Sequence, residues 1–158
     1  MNKMIQRIEH IDRIRKCYIM YGNEAVGELI EETSSISGEE DWVIKPYHDV
    51  IERLGWRAEL PGIDKSLRKE EYIRRGKPVI VRQRVIPAGR GDLDAELKRL
   101  GLNEYDVFEM MCRNHAVCGN NKLYIARTPQ DVIDADSIED RLSVAPSPDN
   151  YEELGWLY

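Results

Sequence analysis

The sequence predicts an α+β fold, a small antiparallel sheet packed with two or more helices. Three observations predict it. Cys17-Tyr18-Ile19-Met20 and Ala25-Val26-Gly27-Glu28-Leu29-Ile30 are short apolar runs on either side of Tyr21-Gly22-Asn23-Glu24, which reads as a hairpin turning at Gly22-Asn23. Pro78 to Ile86 is β-branched and alternating, with Val81, Gln83 and Val85 on one side and Ile80, Arg82, Arg84 and Ile86 on the other, which predicts a strand. Leu93 to Leu100 and Asn103 to Arg113 carry helical spacing.

Taken in order, Met1, Met4, Ile5, Ile8 and Ile11 have the 3/4 spacing of a short amphipathic helix or a frayed terminus. After the hairpin, Thr33 to Asp41 is rich in Ser, Gly and acids and reads as a loop. Trp42-Val43-Ile44 reads as a third strand ending before Pro46, and Tyr47 to Leu54 as a short helix stopped by Gly55. Arg57 to Lys77 shows no clean periodicity, and Leu60-Pro61-Gly62-Ile63-Asp64 is a turn that sets the course of the chain. Beyond the Pro87 to Gly91 break, Asp92 is positioned to cap Leu93 to Leu100, which Gly101 closes; Asn103 or Asp106 caps the next helix. Gly119-Asn120-Asn121 turns into a last strand over Lys122 to Ala126, and Thr128-Pro129 opens a helix with Thr as cap and Pro in the first turn. Val144 to Asn150, with two prolines, is an extended loop before the apolar end Leu154, Trp156, Leu157 and Tyr158.

With 158 residues, 42% of them hydrophobic and 33% charged, the expectation is one domain, residues 1–158, with an acidic C-terminal extension over 128–158. No apolar run is long enough for a membrane span and the first residues open no signal peptide, so the expectation is a cytoplasmic protein away from membranes. Three cysteines, Cys17, Cys112 and Cys118, fit free thiols in a reducing compartment.

The net charge of -6 hides a segregation. Arg68 to Arg90 holds eight bases and two acids; Glu28 to Asp41 holds six acids and no base; Thr128 to the end holds eight acids, among them Asp131, Asp134 and Asp136, against one Arg141. Clustered charge steers a partner of opposite sign, or is satisfied within the molecule, for example by the acidic tail lying against the basic segment. Nucleic-acid contact is disfavoured, since the chain is acidic overall and lacks helix-turn-helix, zinc-finger and RNA-binding signatures.

Catalytic equipment is sparse. There is no Gly-x-Ser-x-Gly turn, no Walker-type phosphate loop and no Gly-x-Gly-x-x-Gly fingerprint, and three histidines supply few bases. Pro87 to Asp92, with Arg90, is a Gly-containing loop before a helix, which either holds one anion or simply turns the chain. Cys112, His115 and Cys118 sit at three-residue steps that would suit zinc, but a fourth ligand is missing locally and Met110-Met111 beside them suggests core. The expectation is therefore no catalytic residue, no metal and no cofactor.

Two stretches resemble the N-terminal subdomain of HipA-type toxin kinases. Tyr18 to Leu29, with Val26-Gly27-Glu28-Leu29, is similar to the strand, turn and Val-Gly-x-Leu strand that open that subdomain. Arg84-Val85-Ile86-Pro87-Ala88-Gly89-Arg90, the helix Leu93 to Leu100, and Gly101-Leu102-Asn103-Glu104-Tyr105-Asp106-Val107-Phe108 resemble its Pro-Glu-Gly-Arg turn and the two helices after it, with Ala88 where the family turn carries an acid. The likeness runs from Cys17 to Arg127 and leaves Leu60 to Arg75 without a counterpart. It implies no kinase site, because the family's catalytic core follows this subdomain. It implies instead a non-catalytic module that binds a kinase partner in a toxin–antitoxin system, with Val26, Leu29, Phe108 and Met111 in the core and Arg82, Arg84 and Arg90 facing the partner. The alternative is a small acidic inhibitor, of the phage anti-defence type, whose acidic blocks imitate nucleic-acid charge against a basic enzyme groove.

Overall fold

Strand pairing begins with the hairpin. In a computed structural model, which describes residues 7–85, 88–118, 122–134 and 156–157, β1 (Arg13–Tyr21) and β2 (Glu24–Thr33) pair antiparallel, with Cys17 opposite Leu29 and Ile19 opposite Gly27. Gly22 takes the left-handed conformation that the two-residue turn requires, at φ 61°. The register shifts between Ile19 and Met20, a local bulge near the turn.

β3 (Glu40–Pro46) adds to β2 with Trp42 opposite Glu31 and Ile44 opposite Leu29. A Cβ on Gly27 would lie 3.0 Å from the Lys45 carbonyl oxygen, so the absence of a side chain there lets β2 and β3 approach. β4 (Tyr72–Arg75) extends the sheet from β3, β5 (Leu123–Ala126) pairs with the other edge of β1, and β6 (Trp156–Leu157) pairs with β4. Among the described residues the result is a six-stranded antiparallel sheet in the order β5-β1-β2-β3-β4-β6.

Among the described residues four α-helices accompany it: α1 (His48–Leu54), α2 (Val79–Arg82), α3 (Leu93–Arg99) and α4 (Val107–Asn114). Cys17, Ile19, Leu29, Trp42, Ile44 and Tyr72 share one sheet face, as their pairings require, and join Ile80, Val81, Phe108, Met111 and Cys112 in the main core. α3 packs Leu93 and Leu97 on Met110 of α4. Met20, Tyr124 and Ala126 point the other way and form a smaller cluster with Val117.

The α+β expectation holds, as do the hairpin, the third strand, the helices at α1, α3 and α4, and the strand at β5. The strand expected over Pro78 to Ile86 is not there over Pro78 to Val85, and Ile86 lies outside the described residues. Val79–Arg82 is a helical turn, with Arg82 N–H donating to Pro78 O at 2.9 Å and Gln83 N–H to Val79 O at 3.0 Å. Val79, Ile80, Val81, Gln83, Arg84 and Val85 are buried and only Arg82 among residues 79–85 is exposed, so consecutive positions bury without the in-out alternation of a half-buried strand. The place beside β3 went to Tyr72–Arg75, whose Tyr72 and Arg74 sit opposite Ile44 and Trp42. Residues 7–12 are not helical, and the rest of the expected N-terminal helix lies outside the described residues. Thr128 to Asp131 forms turns instead of a helix, with Asp131 N–H bonded to Thr128 O at 3.1 Å; most of the acidic extension, including Val144 to Asn150, lies outside the described residues.

Candidate functional site

The charge blocks find each other in space. All six acids of Glu28 to Asp41 have cationic partners: Glu28 with Lys16, Glu31 with Arg13 and Arg15, Glu32 with Arg7, Glu39 and Asp41 with Arg75, and Glu40 with Lys77. Arg75 and Lys77 come from the basic segment, which is therefore partly neutralised by β3 alongside it. Within the same segment Arg68 pairs with Glu52, Arg74 donates to the carbonyls of Arg75 and Lys77 at 2.9 and 3.1 Å, and Lys69 lies 5.7 Å from the Tyr72 ring centroid.

The residues expected to face a partner separate accordingly. Arg84 does not reach the surface and is a correction: it is fully buried, donating through Nη1 to Ile80 O and Gln83 Oε1 and through Nη2 to Leu123 O at 3.3 Å. It fastens α2 to β5, because a guanidinium has enough donors to satisfy several orphan acceptors at once. Arg82 is exposed at the end of α2, and Arg90 is exposed and paired with Asp92 at 2.7 Å. Asp131 lies 3.6 Å from His115, Asp134 is exposed, and Asp136 lies outside the described residues.

The cysteine–histidine cluster is also dispersed. The Cys17 thiol donates to Leu29 O at 3.6 Å; burial pushes it well up, and the neighbouring Cys17 thiol, with Arg127 assisting, holds Cys112 down. His115 turns its Nδ1 to Ile125 O at 3.1 Å, and Cys118 is buried. Among the described residues no three His, Cys, Asp or Glu side chains gather as a metal site.

An open concavity with an apolar floor lies elsewhere, between α1 and the stretch where the sequence shows no periodicity. Gly55, at φ 96°, ends α1, with its N–H on Ile51 O at 2.9 Å, and the chain enters a 3-10 turn over Trp56–Ala58. Ala58 is buried, whereas Trp56 is 71% exposed. A second 3-10 turn, Lys65–Leu67, is capped by Asp64, which accepts from Ser66 N–H at 3.0 Å. His48 Nε2 meets Lys69 O at 2.7 Å and ties the far end of this segment to the start of α1.

Between the two turns and α1 lies a groove of roughly 330 Å3, floored by Pro46, Ile51, Leu60 and Ile63 and rimmed by Trp56. Two ion pairs stand on the rim, Lys65 with Glu59 at 2.6 Å and Arg68 with Glu52. The back wall is braced by Tyr72, which donates to Asp64 O at 2.8 Å, and by Trp156, which donates to Gly62 O at 3.1 Å and meets the Tyr72 ring edge-on at 5.8 Å. The Arg57 guanidinium lies 5.3 Å from the Trp56 ring centroid. In the lining the Ser66 hydroxyl is held by Asp64 and the His48 ring by a backbone carbonyl.

No family model, no curated protein and no solved structure matches this chain. Sequence reasoning passed over Trp56, Arg57 and the groove floor. A tryptophan just after the helix-stopping Gly55 and before the Pro61-Gly62 turn was the available signal, since a large ring in a segment without periodicity has no helix or strand face to bury it. Among the described residues no helix is long and apolar enough to cross a membrane.

Proposed function

We propose that this chain is a non-catalytic protein-interaction module, working in the cytoplasm, that seats a segment of another protein in the groove beside Trp56. The carrying observation is the exposure of Trp56 at 71% on the rim of an apolar concavity, with Arg57 against its ring. Tryptophan and arginine are the residue types most enriched among the few side chains that dominate binding energy, and a large ring left in water is a standing driving force for association. The resemblance to the HipA-type N-terminal subdomain points the partner toward a toxin–antitoxin kinase. The positions of the hairpin with Val26-Gly27-Glu28-Leu29 in its second strand, and of α3 and α4, support that direction.

The acidic-inhibitor alternative is less favoured, because the Glu28 to Asp41 block spends its charge on Arg7, Arg13, Arg15, Lys16, Arg75 and Lys77. The test is capture from native cytoplasm with the full chain and with Trp56→Ala, quantified by mass spectrometry. The expected result is one protein, with kinase sequence, enriched by the wild-type chain and lost with Trp56→Ala. A partner retained equally by Trp56→Ala overturns the groove as the docking surface, and a lost partner that is not a kinase overturns the kinase assignment.

A further inference from the structure

We infer that Cys17 and Cys112 form an oxidation site, a pair of thiols that a peroxide converts reversibly into a disulfide tying α4 to β1. Their placement follows from three ties between α4 and the sheet. At the start of α4, the Arg15 guanidinium lies 4.7 Å from the Phe108 ring centroid and 2.7 Å from Asp106. Past its end, His115 O accepts from Ile125 N–H at 2.7 Å, and Ile125 is the β5 partner of Ile19. α4 therefore runs along β1 in the same direction. Cys17 follows Arg15 by two residues on one strand face, and Cys112 follows Phe108 by four on one helix face. Those steps advance about 6.6 Å and about 6 Å, so the two thiols come level. The third tie crosses at the same place. Arg127, which follows the Ala126 partner of Tyr18, donates to Glu109 at 3.1 and 2.7 Å, and Glu109 lies one turn before Cys112. Both cysteines belong to one core cluster, and each alters the ionisation of the other, as neighbouring thiols do.

The pair is asymmetric. Cys17 is fully buried, whereas Cys112 is 5% exposed and has the part-exposed Arg127–Glu109 pair beside it. The thiolate is the nucleophile, and Cys112 is the thiol held down, so it reacts first. Its sulfur attacks one peroxide oxygen, the O–O bond breaks and hydroxide leaves, giving a sulfenic acid on Cys112. The Cys17 sulfur then attacks the Cys112 sulfur. The S–S bond forms, the S–O bond breaks, and the Cys17 proton departs with that oxygen as water. Two thiols are oxidised and one peroxide is reduced, and an added dithiol reverses the tie by exchange. A transient disulfide of this kind suits the cytoplasmic setting proposed above, where lasting ones are rare.

The test treats the folded, reduced full chain with hydrogen peroxide and reads intact mass, free thiols and a non-reducing peptide map. The expected result is a mass lower by two hydrogens, loss of two of the three free thiols, and one cross-linked peptide pair holding Cys17 and Cys112, all reversed by dithiothreitol. Nearness in sequence would instead join Cys112 to Cys118, the pairing expected when the chain is oxidised in denaturant. Cys118→Ala should still lose two hydrogens, and Cys112→Ala should not. A native-state map that joins Cys118 to either partner overturns the proposal. So does oxygen gained without a cross-link, a cross-link between two chains, or a wild-type chain that keeps all three thiols after prolonged treatment.

Discussion

Arg15 Nη1 lies 2.7 Å from Asp106 Oδ2, a bond that spans 91 positions of sequence. The same guanidinium donates to Glu31 at 2.8 and 2.6 Å and sits 4.7 Å above the Phe108 ring, while Asp106 caps α4 by accepting from Glu109 N–H at 3.2 Å. One side chain thus ties β1 to β2 and to the first turn of the helix that carries Phe108, Met111 and Cys112 into the core. Glu31 is only 3% exposed, so its charge depends on Arg15 for compensation.

Removing that compensation should be costly. Arg15→Met keeps much of the apolar stem but leaves Glu31 buried beside no guanidinium other than the more distant Arg13 at 3.4 Å. The expected loss is about 3 kcal/mol or more, as for other half-broken buried pairs. Urea unfolding measures it, and Arg15→Met combined with Glu31→Gln should recover part of the loss; a single variant within about 0.5 kcal/mol of wild type would contradict the account.

The two carboxylates on Arg15 respond oppositely to pH. For Asp106, burial opposes ionisation, but the bonds from Arg15 and Glu109 outweigh it and the group is held down. Its contribution is therefore present above the ordinary aspartate range and is lost as pH falls through its depressed folded value. For Glu31, burial outweighs the bonds from Arg15 and pushes the group up, so its ionisation costs stability as pH rises from the ordinary glutamate range through the folded value. Asp106→Asn should flatten the acid limb of a stability profile taken from about pH 3 to about pH 7, whereas Glu31→Gln should remove a slope of the opposite sign just above the ordinary glutamate range. An acid limb unchanged in Asp106→Asn would refute this assignment.

Gly27→Ala should destabilise the sheet without any change at the surface. The new methyl would meet Lys45 O at 3.0 Å and Pro46 Cα at 3.5 Å, both backbone atoms of a paired strand that cannot swing aside. A cost of about 1 to 3 kcal/mol is expected from overpacking and is read from the thermal midpoint.

The tryptophans should separate by role. Trp56→Ala, at an exposed position, should change stability by no more than about 0.5 kcal/mol. Trp42 is fully buried, and among the described residues its Nε1 has no hydrogen-bond partner. Trp42→Ala should cost about 3 to 5 kcal/mol, but Trp42→Phe considerably less, because it also removes a buried donor that has lost its water. Chemical denaturation of the three variants ranks them directly.

All three thiols are free and buried, at 0, 5 and 2% exposure for Cys17, Cys112 and Cys118. A thiol reagent added to the folded protein should therefore titrate them slowly, and all three at once in denaturant. Fast stoichiometric labelling of Cys112 in the native state would show that α4 opens readily over β1.

Where local signals agreed with one another, they were sufficient. The Gly22-Asn23 turn between alternating apolar runs, the proline ending β3, the glycine ending α1 and the Asp106 cap of α4 each specify their element through bonds within a few residues. Tyr72–Arg75 was illegible for the opposite reason. Its polar composition, Tyr-Ile-Arg-Arg, describes no strand by itself, and it becomes one because β3 offers an open edge and Asp41 a buried carboxylate for Arg75.

By itself the sequence determined the fold class, the central hairpin and most helix boundaries, because these follow from short-range capping, turn geometry and hydrophobic period. The tertiary structure alone decided that Val79–Arg82 would form a helical turn, that Arg84 would bind backbone in the interior, and that opposite charge blocks would cancel across β1, β2, β3 and β4. It also decided that Trp56 would stand in water beside a groove. Those outcomes depend on which distant residues share a site, and burial and Coulomb energy are properties of that shared site rather than of any stretch of chain.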